Sequence, residues 1–130
     1  MDVITIPTQR RRQVLDVTSF VEEAVRESEV TDGLCHVWAP HTTAGVTVNE
    51  NADADVSDDI LAALEAMLPK IPWRHMEGNS DAHLLAALLG TSVTVPIRQG
   101  ELTLGRWQGI FLVEFDGPRS REVWVTCVRS

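Results

Sequence analysis

Two polar stretches of the sequence concentrate the side chains that can move protons or hold ions. The first runs from His41 to Glu50 and the second from His75 to His83, and together they contain three of the four histidines of the chain. Imidazole and carboxylate groups suit proton transfer near neutral pH, and they also bind zinc or another divalent metal. The candidate catalytic residues are therefore His41, Glu50, His75 and His83, and the three histidines are also candidate metal ligands.

The predicted elements place the histidines in different settings. His41 lies where a strand gives way to a Thr/Gly loop, a usual place for functional residues. His83 lies in the first turn of a predicted helix, near backbone N–H groups that can hold an anion. His75 precedes it by eight residues, a spacing that forms no helical metal pair. The residues alone leave open the alternative that these histidines cap loops and bond backbone carbonyls. His36, on a strand face, is expected to be a core or interface residue.

Basic and acidic residues give weaker indications. Every basic residue except Lys70 is an arginine, so anion binding falls mainly to arginine. Arg119 is a candidate for holding phosphate through its bidentate fork, and the alternative is a surface pair with Asp116. Four aspartates lead into the second predicted helix, where acids complement the helix dipole and where magnesium binding is the alternative. They are Asp53, Asp55, Asp58 and Asp59.

Length and composition exclude several classes of protein. The 130 residues predict a single domain over 1–130, and 44% hydrophobic with 23% charged residues is the mix of a soluble globular protein. A net charge of −8 argues against nucleic acid and anionic membranes as partners. We see neither a signal peptide nor a membrane-spanning run, so a cytoplasmic location is expected. Cys35 and Cys127 are then expected to be reduced thiols in the core.

Apolar periodicity predicts seven strands and three helices. The strands are expected at 3–6, 14–18, 34–39, 46–50, 92–97, 102–115 (interrupted near Gly105) and 121–128. The first helix is expected at 20–27, with Ser19 and Glu22 as a capping box, and the second at 56–68. The third is expected at 81–89, with Asn79 or Ser80 as N-cap and Gly90 after its end.

The last two predicted strands are apolar on both faces. In the first of them Phe111 and Val113 alternate with Ile110 and Leu112. Antiparallel strands normally leave one face wet, and three modest helices cannot cover a sheet of about seven strands. A second sheet, a neighbouring subunit or both must therefore cover them. The expected fold is an α+β chain built on a β-sandwich, and the expected state is an oligomer.

Long collinear motifs resemble one known family, the YjbQ-like family, which is often labelled secondary thiamine-phosphate synthase. The matching segments are 41–45 (HTTAG) with Asn49 and Glu50, 75–84 (HMEGNSDAHL), and 92–108 (SVTVPIRQGELTLGRWQ) leading into 110–119. The family pattern has Gly-Thr-Trp-Gln where this chain has Arg106 in place of the threonine. The resemblance covers nearly the whole chain.

The resemblance implies a seven-stranded antiparallel β-sandwich that forms a homotrimer through its sheets. It also implies thiamine-phosphate synthesis, secondary to another physiological role, in which hydroxymethylpyrimidine diphosphate joins a thiazole phosphate and diphosphate is released. It places in the site His41, Glu50, His75, Asn79 and His83. Substrate-binding candidates are Thr42, Thr43, Asn49, Asn79 and Arg119. Two alternatives use the same pocket. One is a trimer that binds a metal or a small phosphorylated metabolite without turnover, and the other is a phosphoester hydrolase assisted by zinc or magnesium.

Overall fold

A computed structural model describes all 130 residues and contains eight strands and three helices. The strands are β1 (Asp2–Pro7), β2 (Gln13–Asp16), β3 (Gly33–Trp38), β4 (Ala44–Glu50), β5 (Ser92–Arg98), β6 (Glu101–Leu102), β7 (Gln108–Glu114) and β8 (Ser120–Arg129). The helices are α1 (Thr18–Ser28), α2 (Ala54–Ala66) and α3 (Ser80–Leu89). None of them has the length and apolar character that a membrane crossing requires.

The strands form two antiparallel sheets that enclose the main core. One sheet has five strands in the order β1-β8-β3-β5-β6, and the other has three in the order β2-β7-β4. Val37, Val95 and Val123 of the larger sheet share a buried cluster with Val46 and Leu112 of the smaller one, and α1 also contributes to it. The α+β class, the antiparallel sandwich and the three helices are confirmed. The number of strands is eight because the segment predicted as one interrupted strand forms both β6 and β7.

The second face of β7 is covered by helices. Its inner face carries Ile110 and Leu112 into the main core, while Phe111, Val113 and Phe115 form a second buried cluster with α3 and part of α2. The expectation of a second sheet is therefore confirmed for the inner face of β7, but the outer face is covered by helices rather than by a sheet or a neighbouring subunit. Two helices suffice because this sheet has only three strands. The outer face of β8, in the larger sheet, has no such cover.

The helix starts differ in how they are capped. Helix α1 begins at Thr18, whose N–H and hydroxyl both donate to Asp16 Oδ1, so Ser19 lies inside the helix and the predicted capping box is wrong. At α2, the Asp53 carboxylate accepts the Asp55 N–H at 2.9 Å. Asp53 thus caps α2, and Asp55 lies in its first turn, where an acid complements the helix dipole. Asn79 occupies the N-cap position of α3, and Gly90 follows its end.

The two cysteines face each other across β3 and β8. Cys35 is in register with Cys127, and both are free thiols. Burial, reinforced by the neighbouring Cys127 thiol, raises the pKa of Cys35 to about 12. A thiol that stays protonated is a poor nucleophile, so Cys35 acts as a small apolar core residue.

Candidate functional site

A cleft of about 650 Å³ opens at one end of the sandwich, where β3 and β7 end and β4, β5 and β8 begin. The loop from β3 to β4 forms one wall, and the start of α3 with the segment before it forms another. Its lining residues are Trp38, Ala39, Pro40, His41, Thr42, Thr43, His75, Glu77, Asn79, His83, Thr91, Arg119 and Arg121. The cleft is therefore predominantly polar, with imidazole, hydroxyl, amide, carboxylate and guanidinium groups.

Most of the site residues predicted from sequence line this cleft. They are His41, Thr42, Thr43, His75, Asn79, His83 and Arg119. Close packing behind the cleft depends on Gly45, because a Cβ there would lie 2.4 Å from the Gly90 carbonyl oxygen. Strand β4 thus approaches the connection from α3 to β5 closely enough to hold the His41 loop beside α3.

Glu50 and Asn49 do not join the histidines within one chain. Strand β4 begins next to the cleft at Ala44 and ends at Glu50, and at about 3.3 Å per residue its ends are roughly 20 Å apart. Glu50 instead lines a separate pocket with Asp53 and Asp58 at the start of α2. Within the single chain Glu50 therefore lies apart from the three histidines, and its convergence with them in a cleft between subunits stays a prediction.

His41 is held by the backbone of β8. Its Nε2 lies 2.9 Å from the Glu122 backbone nitrogen and 3.1 Å from the Glu122 carbonyl oxygen, so it accepts the N–H in one tautomer and donates to the carbonyl in the other. Burial, and next the positive charge of Arg121, lower the pKa of His41 below its ordinary value. The lowered pKa favours the neutral imidazole, and the backbone of Glu122 fixes the ring through Nε2.

His75 and His83 form an edge-to-face pair on the α3 side of the cleft. Their ring centroids are 5.4 Å apart, and His75 Nε2 lies 3.8 Å from a carboxylate oxygen of Glu77. The backbone at the start of α3 is less free than expected, because the His83 N–H donates to the Asn79 carbonyl and the Ala82 N–H to the Asp81 carboxylate. The imidazole of His83, rather than its backbone N–H, is therefore the group offered to the cleft.

The floor of the cleft is a buried ion pair between the two sheets. Glu114 at the end of β7 has no exposed surface, and Arg121 in β8 is 5% exposed. Arg121 Nε donates to both Glu114 carboxylate oxygens, at 2.9 and 3.0 Å, and Arg121 Nη2 also donates to Glu114 Oε2. Nη2 donates further to the Thr43 hydroxyl at 2.7 Å and to its carbonyl oxygen at 3.1 Å.

Additional donors complete the shell of Glu114. The Thr8 hydroxyl donates to Oε1 at 2.7 Å, and the Asp116 N–H donates to Oε2 at 3.1 Å. Burial raises the pKa of Glu114, but the hydrogen bonds from Arg121, Thr8 and Asp116 outweigh it and hold the pKa below its ordinary value. Glu114 is therefore ionised and offsets the charge of Arg121.

A second ion pair lies at the rim of the cleft. Arg119 Nη2 donates to Asp116 Oδ2 at 2.9 Å, and Arg119 Nε donates to the Asp116 carbonyl oxygen. Asn79 Nδ2 donates to the same carboxylate oxygen at 2.8 Å. Partial burial raises the pKa of Asp116, but the bonds from Asn79 and Arg119 hold it below its ordinary value. The pairing of Arg119 with Asp116 is thus present, and it links the β7–β8 turn to α3.

The donor set does not form the predicted three-histidine metal site. Nε2 of His41 is occupied by the backbone of Glu122, which leaves His75, His83 and Glu77 on the other side of the cleft. The chain contains no group of three or more His, Cys, Asp or Glu side chains arranged to hold a metal ion. The cleft does offer a small ligand fixed hydrogen-bond donors, together with the imidazole pair of His75 and His83 as a source of protons.

Sequence reasoning missed Glu114, Arg121, Glu77 and Trp38, all in or beneath the cleft. Glu114 follows Ile110 and Leu112 on the inward face of β7, and a charge at such a position needs a buried partner. Arg121 supplies it from the inward face of β8. The interruption of an apolar face was therefore a usable indication of the pair.

Comparison with known proteins agrees with this architecture. A family model described as UPF0047 protein YjbQ-like matches residues 2–130. The chain belongs to the YjbQ-like UPF0047 family. A UPF0047 protein of Methanocaldococcus jannaschii is 48% identical over 125 residues, covering 95% of this chain and 90% of that protein. The UPF0047 protein YugU of Bacillus subtilis is 42% identical over 130 residues, covering 96% of each.

Solved structures of YjbQ-like proteins share the fold. One from Clostridium acetobutylicum, described as uncharacterized, has a TM-score of 0.95 at 48% identity and covers 98% of this chain and 100% of that one. A second from Sulfolobus solfataricus, described as of unknown function, has a TM-score of 0.93 at 38% identity and covers 99% and 96%. These YjbQ-like relatives establish family and fold and carry no named activity.

Proposed function

We propose that the cleft is the active site of a thiamine-phosphate synthase-type transferase that joins hydroxymethylpyrimidine diphosphate to a thiazole phosphate and releases diphosphate. The observation that carries the proposal is the convergence of three histidines with Asn79 and Arg119 in one cleft of about 650 Å³. Such a volume lies within the range of small-molecule sites. The proposal rests further on the sequence motifs, and the activity is secondary to another physiological role.

The reaction requires the protein to stabilise the departing diphosphate and to hold a phosphate group of the substrate. The bond from the pyrimidine unit to the diphosphate oxygen breaks as a bond to the thiazole forms, so the departing oxygen gains negative charge. Donors already fixed in the cleft stabilise such charge because they need no reorganisation. His83 is the proposed donor of a proton to the leaving diphosphate, and Arg119 at the rim is proposed to contact a phosphate.

The alternative is a protein that binds a phosphorylated metabolite without turnover. The observation in its favour is that Glu114 and Asp116 offset the charges of Arg121 and Arg119. The cleft therefore presents many hydrogen-bond donors but little net positive charge. The proposed phosphoester hydrolase and a zinc or magnesium cofactor have no comparable support, because no metal-binding group forms within the chain.

We also propose that the protein is a homotrimer that associates through the outer face of the five-stranded sheet. Leu34 and Val128, paired in register on β3 and β8, are 50% and 56% exposed on this face. Trp38 is 38% exposed at the end of β3 and also lines the cleft. A second copy packed on this face would border the cleft, which supports a site between subunits. The number of three copies is taken from the family resemblance.

The test of the proposed reaction is His83→Ala. Removing a positioned proton donor is expected to lower turnover about a hundredfold to ten-thousandfold while the fold is retained. Turnover of the two substrates, with and without chelator, and thermal unfolding are measured on the same preparation. Asp59→Asn, on the exposed side of α2, is the matched control and is expected to leave both unchanged. Unchanged turnover in His83→Ala would remove His83 from the mechanism, and absent turnover in the unaltered protein would favour the binding alternative.

A further inference from the structure

Only some of the N–H donors of the Arg121 guanidinium form hydrogen bonds within the chain. An arginine has five N–H donors. The hydrogen bonds to Glu114 and Thr43 come from Nε and Nη2, which carry three of them. Nη1 makes no hydrogen bond within the chain, and Arg12 Nε and Asn79 Oδ1 are the only fully buried side-chain atoms without a partner, so Nη1 keeps exposed surface. Because Arg121 lines the cleft, two N–H groups of this nearly buried cation are available to a ligand there.

We propose that Arg121 Nη1 is the principal oxyanion anchor of the cleft and holds phosphoryl oxygens of the ligand at its floor. The inference rests on the proposed function, since it names the residue that binds the phosphoryl group of the substrate. Arg121 is distinct from the arginine that sequence reasoning selected. Arg119 is the second, outer contact.

Rigidity distinguishes the two arginines. Arg121 is 5% exposed and fixed at Nε and Nη2, so binding a ligand at Nη1 costs little additional side-chain entropy. Arg119 has a side chain that is 50% exposed, so water screens its charge and its free donors. A hydrogen bond to a charged group is also stronger where solvent is excluded. The deeper arginine is therefore the better anchor, although Glu114 offsets its charge.

His41 reports directly on this position. The positive charge of Arg121 is one of the effects that lower the pKa of His41, and Glu114 and Glu122 are the carboxylates that act in the opposite direction. An oxyanion at Nη1 offsets the charge of Arg121 and adds negative charge nearby. Occupation of the anchor therefore raises the pKa of His41, whereas binding only at the exposed Arg119 moves it much less.

The test uses inorganic pyrophosphate as the probe, with binding measured by calorimetry on the unaltered protein, Arg121→Lys and Arg119→Lys. Lysine at 121 retains a cation for Glu114 but has no second amine to present to the cleft. Arg121→Lys is expected to weaken binding at least tenfold with the fold retained, and Arg119→Lys about threefold or less. A folded Arg121→Lys that binds as tightly as the unaltered protein overturns the proposal, as does a larger loss in Arg119→Lys.

A second measurement does not depend on the folding of a variant. NMR titration of the unaltered protein follows His41 with and without pyrophosphate, and an increase in its pKa of at least half a unit on binding is expected. Saturating pyrophosphate that leaves His41 unchanged, or no binding at millimolar concentration, overturns the anchor. Binding through Arg121 in a protein without turnover would retain the anchor and reject the transferase, so the two failures are distinguishable.

Discussion

Glu114 and Arg121 form the most deeply buried ion pair of the molecule. Removing one partner of a buried pair leaves the other charge without compensation, which costs more than the pair contributes. Because Glu114 has no exposed surface and joins the two sheets, this cost falls on global stability as well as on the cleft. The two residues are seven apart across the connection from β7 to β8, and the acid that interrupts the apolar face of β7 is the indication of the pair that the sequence carries.

Glu114→Gln is expected to lower the free energy of unfolding at pH 7 by about 3–5 kcal/mol, because Arg121 loses its counter-charge. The pKa of Glu114 is below its ordinary value of 4.5 in the folded chain, so its contribution is present above that value and is lost as pH falls through the folded pKa. Urea unfolding between pH 3 and 7 should therefore show a weaker acid dependence in the variant. Exposed Glu23→Gln is the control, and equal loss in both variants would contradict the role of burial.

At the scale of elements, the sequence predicts which segments are strands and helices better than where their ends meet. Alternation and helical spacing depend on neighbouring residues, so α2, α3 and most strands were predictable. The residues from His41 to Glu50 are close in sequence and look like one motif. Because β4 is an extended strand, however, Glu50 lies far from the cleft. The start of α1 was misplaced because Asp16, outside the predicted helix, binds Thr18. Long-range geometry decides the first case, whereas the second depends on a side-chain contact between residues two apart in the sequence.

The acidic start of α2 provides a test of a capping role at this scale. Asp53→Ala removes the acceptor for the Asp55 N–H and is expected to lower the free energy of unfolding by about 0.5–2 kcal/mol. Asp59→Ala, two turns into the same helix, removes a like charge without removing a cap and should change stability much less. Equilibrium urea unfolding measures both. A larger loss in Asp59→Ala, or a divalent cation that stabilises the unaltered protein and not Asp53→Ala, would instead favour metal binding by these aspartates.

At the scale of the whole molecule, the two sheets differ in how completely their outer faces are covered by other parts of the chain. The three-stranded sheet has the main core on one side and α2 with α3 on the other. The five-stranded sheet presents Leu34, Trp38 and Val128 on its outer face. Large contiguous apolar patches on a folded protein mark interaction surfaces. The proposed association through this face would explain why β8 is apolar on both sides without requiring another layer in the same chain.

Val128→Glu tests this surface. The residue lies opposite Leu34 in register, so a carboxylate there would be desolvated between copies without a partner and is expected to dissociate the oligomer. Light scattering of the unaltered protein should give about three times the chain mass of 14.4 kDa, and the variant should approach one chain mass. Leu88→Glu places the same charge at an exposed apolar position of α3 and should leave the trimer intact. A monomeric unaltered protein over a broad concentration range would reject the trimer. A trimer that persists in Val128→Glu would place the interface on another surface.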